Sequence, residues 1–237
     1  VITNIEDLRV LAQKRVPRMF YDYVDTGSWT EGTYRANEDD FQKIKFRQRV
    51  AINMENRTTR TQLVGQDVAM PVALAPVGST GMQCADGEIL AARAAGKFGV
   101  PFTLSTMSIC SIEDVAANSP YPFWFQLYVM RDRAFIERLI ERAKAAKCSA
   151  LVLTLDLQIL AQRHKDLKNG LSVPVKPTLA SIANLLTKPH WCLGMLGTKR
   201  RQFGNIVGHV KGVDNMGSLS EWTSRQFDPT LNWADVE

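Results

Sequence analysis

Between residues 71 and 156 the chain alternates short apolar runs with amphipathic segments, and this alternation constrains its fold more than any other feature. The runs PVALAPVG (71–78), VPFTLST (100–106), PFWFQLYV (122–129) and ALVLTLD (150–156) have the length and residue types of strands. Between them lie DGEILAARAAGKFG (86–99), which Gly99 ends, and SIEDVAAN (111–118), with a capping-box pattern from Ser111 to Asp114. The third connecting segment, DRAFIERLIERAKAAK (132–147), carries Phe135, Ile136, Leu139 and Ile140 on one side of a helix. Strand and helix alternating at this spacing specify βαβ units on a parallel sheet. The strands are apolar almost throughout, as a sheet covered on both faces requires. An open doubly wound sheet and a (β/α)8 barrel both fit. The first run is not followed by Gly-x-Gly-x-x-Gly and no Walker loop occurs, which counts against an open nucleotide-binding sheet.

The flanks are less regular. Residues 5–16 fit a short helix capped by Asn4, with Ile5, Leu8, Leu11 and Ala12 as its apolar stripe. Pro17 can start a second helix and Gly27 can end it. Residues 45–70 read as a short β excursion around LVGQD. Three regions follow: 1–70 as helices and a β excursion capping the sheet, 71–167 as four strand–helix units, and 168–237 as an excursion leading into a further unit. No apolar run approaches the ~18 residues of a spanning helix, and the N-terminus shows no charged-then-apolar leader. The four cysteines are scattered, which suits reduced thiols in the cytoplasm, and the three histidines lie too far apart for a local metal motif.

Each strand turns polar or small at its carboxyl end. The first ends in Pro76, Val77 and Gly78, the second offers Ser105 and Thr106, the third Gln126 and Tyr128, and the fourth Thr154 and Asp156. Residues two apart on a strand share a face, and ligand sites of parallel α/β folds form at these ends. Such groups can merely satisfy loop backbone, but the pattern recurs on all four strands. An amide such as Gln126 offers a donor and an acceptor together, which suits a flat heterocycle with alternating N–H and C=O groups.

The stretches YDYVDTGSWTE, MPVALAPVGSTGM, PFTLSTMSICSIEDVA, WFQLYVMRDR and LTLDLQILAQRHKDLKNG resemble the FMN-dependent α-hydroxy-acid dehydrogenases and oxidases, from about residue 3 to the end. APVG followed by GM, and FTLSTMSIC, are most similar to the quinone-linked bacterial L-lactate dehydrogenase branch. The resemblance implies a (β/α)8 TIM barrel, of which this chain holds the N-terminal helices and about the first four units. FMN would lie across the carboxyl ends of the strands. Pro76, Val77 and Gly78 would run along the flavin near its reactive edge, and Ser105, Gln126 and Thr154 would hydrogen-bond the ring. Tyr23, Tyr128 and Arg163 would hold the substrate carboxylate, with Tyr128 also near the reacting hydroxyl. No metal is implied. An Arg fork suits a carboxylate; without the resemblance, Tyr23 reads as an aromatic packed at the barrel mouth.

The family pattern also has a flavin-contacting Lys, and a base His and second Arg in a segment like S-N-H-G-G-R-Q. None of His164, His190 and His209 matches that base, so the chain is expected to be inactive alone. The implied activity is oxidation of a small L-2-hydroxy acid, L-lactate foremost, with electrons passed to a quinone or another acceptor. A hydroxy-acid oxidase using oxygen, and a non-catalytic half-barrel that must pair with its other half, are the alternatives. A homo-oligomer is expected.

Between Asp166 and Asp214 there is no acid, while Lys168, Lys176, Lys188, Lys199, Arg200, Arg201 and Lys211 all fall there. Leu179, Ile182, Leu185 and Leu186 have rough helical spacing, and Trp191, Leu193, Met195 and Leu196 form a second apolar cluster. Apolar faces beside cations and an aromatic anchor suit an anionic membrane surface. A peripheral location on the inner face of the cytoplasmic membrane, through residues 168–211, is therefore expected. No nucleic-acid-binding motif accompanies the charge, and a solvated lid over the site is the competing reading.

Overall fold

The structure is a computed structural model that describes residues 1–156, 161–171, 176, 178–214 and 216–236. Residues 157–160 of the LTLDLQILAQRH stretch, and 172–175 and 177 of the basic block, therefore lie outside the described residues.

At the centre is a parallel sheet of β3 (Thr103–Ser105), β4 (Trp124–Tyr128) and β5 (Ala150–Thr154), in that order. The connecting helices are α5 (Gly87–Phe98), α6 (Ile112–Asn118) and α7 (Arg133–Ala145). Gly99 stops α5 with φ at +88°, and the Ser111–Asp114 capping box starts α6, both as the sequence predicts. Leu104 and Phe125 on the strands, with Ile112, Phe135 and Leu139 on the helices, are buried to 1 % exposure or less and form the centre of the core.

The run 71–78, expected as the first strand, forms no strand. Leu74 makes a single parallel bridge to Phe102, with Leu74 N–H donating to Pro101 O (2.9 Å) and Thr103 N–H to Leu74 O (3.1 Å). Pro71 and Pro76 have no N–H to extend this ladder, and Val72 N–H turns back to Met70 O. The segment therefore lies beside β3 at the expected place, as the first step of an arc of parallel strands. The arc is not a closed barrel among the described residues.

At the N-terminus, α1 (Ile5–Arg15) is capped by Asn4, and α2 (Arg18–Val24) starts after Pro17. The α1 stripe is not core: Ile5 and Leu8 are exposed and no residue of the helix is buried. α3 (Gly32–Asp39) runs into a 3-10 turn at Asp40–Lys43. The β excursion is a hairpin of β1 (Thr61–Leu63) and β2 (Gln66–Val68), turned at Val64 and Gly65, both with positive φ. α4 (Thr80–Gln83) leads into α5, and α8 (His164–Asn169) follows the fourth strand.

The later excursion folds as α9 (Leu179–Leu186), α10 (Pro189–Gly197) and α11 (Met216–Gln226), with a 3-10 turn at Trp233–Asp235. Lys188 Nζ donates to the carbonyls of Gln13 and Lys14 at the end of α1, and Asn184 Oδ1 accepts from Arg18 N–H at the start of α2. The expected second apolar cluster divides in two. Leu193 and Leu196 are exposed, whereas Trp191 turns inward, stacking on Phe20 and donating its indole N–H to Met82 O. Trp191 is therefore not the outward aromatic anchor that the sequence suggests, because a buried carbonyl offers the indole N–H a partner. The basic block is also partly neutralised. Arg200 pairs with Asp86 and Asp114, and Arg201 donates to Leu196 O and Thr198 O at the end of α10.

Candidate active site

Gln126 is 1 % exposed at the carboxyl end of β4, so its amide must find partners inside the protein. Its Oε1 accepts from Ser105 Oγ and from Thr106 N–H, each at 3.2 Å, and its Nε2 donates to Thr154 Oγ1 at 2.9 Å. The sheet register makes this possible: Ser105 stands beside Gln126, and Thr154 lies two residues beyond its β5 neighbour Val152. Two donors on Oε1 and an acceptor at Nε2 fix the orientation of the amide. Thr106 Oγ1 donates to Gln126 O (2.6 Å), and Ser105 Oγ accepts from Met107 N–H (3.1 Å). The second Gln126 N–H and the Thr154 O–H have no acceptor among the described residues.

Pro76, Val77 and Gly78 follow the Leu74 bridge and lead to Ser79, whose N–H donates to Met107 O at 2.8 Å. This bond holds their loop against the one after β3. A methyl group on Gly78 would meet Met107 Cβ, Met107 O and Tyr23 Oη, all at 3.5 Å. The space therefore admits alanine in ordinary contact, and the glycine places a gap beside the Tyr23 hydroxyl.

Tyr23 comes from α2 and Arg163 from the residue before α8. The guanidinium carbon lies 4.8 Å from the centre of the Tyr23 ring, within cation–π range. Arg163 Nη2 donates to Tyr23 O, and Nε faces Asp166 Oδ2 at 2.8 Å as an ion pair without hydrogen-bond alignment. Burial raises the Tyr23 phenol above its usual range, opposed by the Arg163 charge. Burial pushes the Tyr128 phenol up to about 12, with Tyr23 and Asp156 adding to the shift. Burial also raises the Asp166 carboxyl, against the attraction of Arg163.

The expected residues thus fall into two groups: Ser105, Gln126 and Thr154 share hydrogen bonds, while Tyr23 has Arg163 over its ring and Gly78 beside its hydroxyl. Tyr128 lies close enough to Tyr23 for the Tyr23 phenol to add to the rise of its own. His164 packs edge-on to Trp29, and His209 lies outside, beside α7, with Arg138 Nη2 donating to its carbonyl. Sequence reasoning missed Asp166, although its i,i+3 spacing from Arg163 signals the pair. It also missed Glu88, 1 % exposed, whose carboxylate accepts from the N–H groups of Gly81, Ile109 and Cys110 and ties the loop after Gly78 to the loop after β3. An acid in the first turn of α5, directly before the apolar run 89–92, was the available signal.

The isoalloxazine edge of FMN alternates ring N–H and carbonyl groups. The second Gln126 N–H and the Thr154 O–H, without acceptors among the described residues, are donors of the kind its carbonyls need, and Ser105 Oγ adds a polar atom beside them. The residues present fit that group.

The model of the FMN-dependent dehydrogenase family matches residues 12–237. The chain is 42 % identical to the L-lactate dehydrogenase of Stenotrophomonas maltophilia strain R551-3 and 41 % identical to that of Pseudomonas syringae pv. syringae strain B728a. Both alignments cover 100 % of this chain and 62 % of the relative, so the chain spans about three fifths of their length. Among solved structures, the monotopic membrane protein (S)-mandelate dehydrogenase superposes with a TM-score of 0.88 at 32 % identity, over 98 % of this chain and 62 % of that one. Mandelate oxidase gives a TM-score of 0.75 at 29 % identity, over 99 % of this chain and 60 % of its own. The alternating strands, their polar ends and the family match agree, and this chain belongs to the FMN-dependent dehydrogenase family.

Proposed function

We propose that the protein carrying this chain oxidises a small L-2-hydroxy acid, L-lactate foremost, to the corresponding 2-oxo acid. The observation that carries this reading is the adjacency of two differently equipped groups: a clamped amide with a spare donor at Gln126, and a cation–aromatic pair at Arg163 and Tyr23. FMN, when bound, supplies the two-electron acceptor. Gln126, Ser105 and Thr154 hold its polar edge, and the backbone of Pro76, Val77 and Gly78 borders it.

The substrate carboxylate goes to Arg163, whose Nη1 has no partner among the described residues while Asp166 and Tyr23 O hold the rest of the guanidinium in place. Tyr23 donates its phenolic O–H beside it. Tyr128, protonated throughout neutral pH, donates to the substrate hydroxyl oxygen rather than taking its proton. The general base is assigned to the histidine of the family's S-N-H-G-G-R-Q-like segment, which none of His164, His190 and His209 matches. Leu74 and Leu151 are exposed at the two edges of the strand arc, which pair with no further strand among the described residues. Further strands covering them, in the same polypeptide or a second one, complete the catalytic unit.

Electrons pass to a membrane quinone. Leu179, Ile182 and Leu186 on α9, and Leu193 and Leu196 on α10, are 47–86 % exposed. So many exposed leucines on one short helical pair suit an apolar surface, and a structural relative of this chain is a monotopic membrane protein. No helix among the described residues is long and apolar enough to cross a membrane; the contact proposed for this face is peripheral.

Anaerobic addition of L-lactate to the FMN-loaded full protein tests the reaction. The flavin absorbance should bleach, and return more slowly with oxygen than with a quinone. A spectrum left unchanged by lactate, glycolate and mandelate would sink the proposal. Rapid return with oxygen alone would favour an oxidase.

A further inference from the structure

Asn205 belongs to the excursion, about a hundred residues from β3, yet it is fully buried against the carboxyl end of that strand. Its Oδ1 accepts from Ile112 N–H (3.0 Å) and from Arg142 Nη2 (3.2 Å). With both donors on the oxygen, the amide can face only one way. Its Nδ2 therefore donates to Ser108 Oγ (3.0 Å) and, at 3.4 Å each, to the carbonyls of Ser105 and Thr106. The Arg142 guanidinium is itself fixed, forked onto Glu113 at 2.7 Å per bond and donating to Asn205 O at 3.1 Å.

One peptide unit links Asn205 to the candidate site. Its carbonyl, Ser105 O, accepts from Asn205, and its N–H, on Thr106, donates to Gln126 Oε1. In a planar trans peptide these two groups point in opposite directions and turn together. Whatever holds Ser105 O thus aims Thr106 N–H at Gln126, and that bond decides which way the Gln126 amide presents its spare donor. The neighbourhood allows little slack. Phe203 and Ile206 are buried on either side, and a methyl on Gly204 would stand 2.8 Å from Ile109 O.

We propose that Asn205 is a positioning residue for the flavin-facing amide of Gln126, acting through the Ser105–Thr106 peptide, with Arg142 and Glu113 as its outer support. The proposal rests on the reading of Gln126 as a flavin contact.

Asn205→Asp is the discriminating variant. It keeps the shape and the acceptor toward Ile112 and Arg142, and replaces the donor toward Ser105 and Thr106 with an oxygen. The experiment measures the FMN dissociation constant by flavin fluorescence, and the visible absorption maximum, on full protein with unchanged far-UV circular dichroism. Asn205→Asp is expected to weaken FMN about tenfold and shift the flavin band, since a buried donor is lost where carbonyls remain. Arg142→Gln, which leaves Asn205 itself in place, is expected to move both readouts the same way by about threefold. Wild-type FMN affinity and spectrum in folded Asn205→Asp overturn the proposal. If Asn205→Asp does not fold, the same result in Arg142→Gln overturns it. A wild-type protein that binds no FMN overturns the reading of Gln126 itself and is distinguished by that control.

Discussion

The guanidinium carbon of Arg163 lies over the ring of Tyr23, 4.8 Å from the ring centre, while the same side chain donates to the Tyr23 carbonyl and faces Asp166. A planar, delocalised cation can stack, pair and still present a free edge, whereas an ammonium cannot do all three. Arg163→Lys should therefore weaken substrate binding by roughly tenfold to a hundredfold, from the loss of a bidentate carboxylate contact and the stack. Flavin content should stay at the wild-type level. Steady-state KM for L-lactate alongside the flavin-to-protein absorbance ratio checks this, and lost flavin with intact KM would contradict the assignment.

Gln126→Leu tests the other group. The leucine leaves Ser105 Oγ, Thr106 N–H and Thr154 Oγ1 without their amide partner in a buried place. Each unsatisfied group costs about 1–3 kcal/mol. A lower melting temperature and poor FMN retention are both expected. Thermal denaturation of apo and FMN-loaded protein separates the two effects, because FMN should stabilise the variant less than the wild type.

The parts legible in the sequence are those set by local pattern. Gly99, the Ser111–Asp114 box and the Phe135–Leu139 face needed no distant partner to be read. The clustering of Ser105, Gln126 and Thr154 followed from period-two alternation on neighbouring parallel strands. The 71–78 run misled because apolarity alone does not supply the N–H groups that a ladder needs, and prolines interrupt it. Trp191 misled because an indole beside leucines reads alike whether it faces lipid or a carbonyl such as Met82 O. Asn205 was invisible because its partners lie about a hundred residues away, and an Asn in a Gly-containing stretch reads as a turn.

Tyr128 sets a pH expectation. Its folded phenol is raised to about 12, chiefly by burial, above the ordinary tyrosine value of 10.0. The stability linked to it is present below pH 10 and is lost as pH rises through about 12. Across neutral and mildly alkaline pH the phenol is a donor. Tyr128→Phe should lower kcat/KM by about tenfold to a hundredfold without moving the acid limb of its pH profile, because that limb belongs to a separate base. A displaced acid limb would make Tyr128 the titrating group.

Glu113 carries the opposite sign. The hydrogen bonds from Arg142 hold its carboxyl down at about 2, below the ordinary glutamate value of 4.5. Its contribution is present above pH 4.5 and lost as pH falls toward 2. Glu113→Gln should melt slightly below the wild type at pH 7, by a small margin because the carboxylate is more than half exposed. The two proteins should converge as pH falls through that window. Melting curves at pH 7, 4 and 3 check this; a difference independent of pH would show that the ion pair is not its source.

The apolar face of α9 and α10 yields the last prediction, and magnitudes decide its form. Leu179, Leu186, Leu193 and Leu196 are each 68–86 % exposed. Burying one leucine contributes about 1.5–3 kcal/mol, against roughly 1 kcal/mol for each cation near an anionic surface. Arg200 is already paired with Asp86 and Asp114, and Lys188 is held by the carbonyls of Gln13 and Lys14, so these two cations of the block have less to offer lipid. Binding to anionic vesicles should therefore survive much of the screening that 0.5 M salt imposes on exposed charges. Replacing the four leucines with Ser should abolish co-sedimentation while leaving flavin reduction by lactate intact. Lys199→Gln should weaken it only slightly. Arg200→Gln should instead lower the melting temperature, since two partly buried carboxylates lose their partner. Wild-type protein that ignores vesicles even at low salt would return this face to the role of a lid.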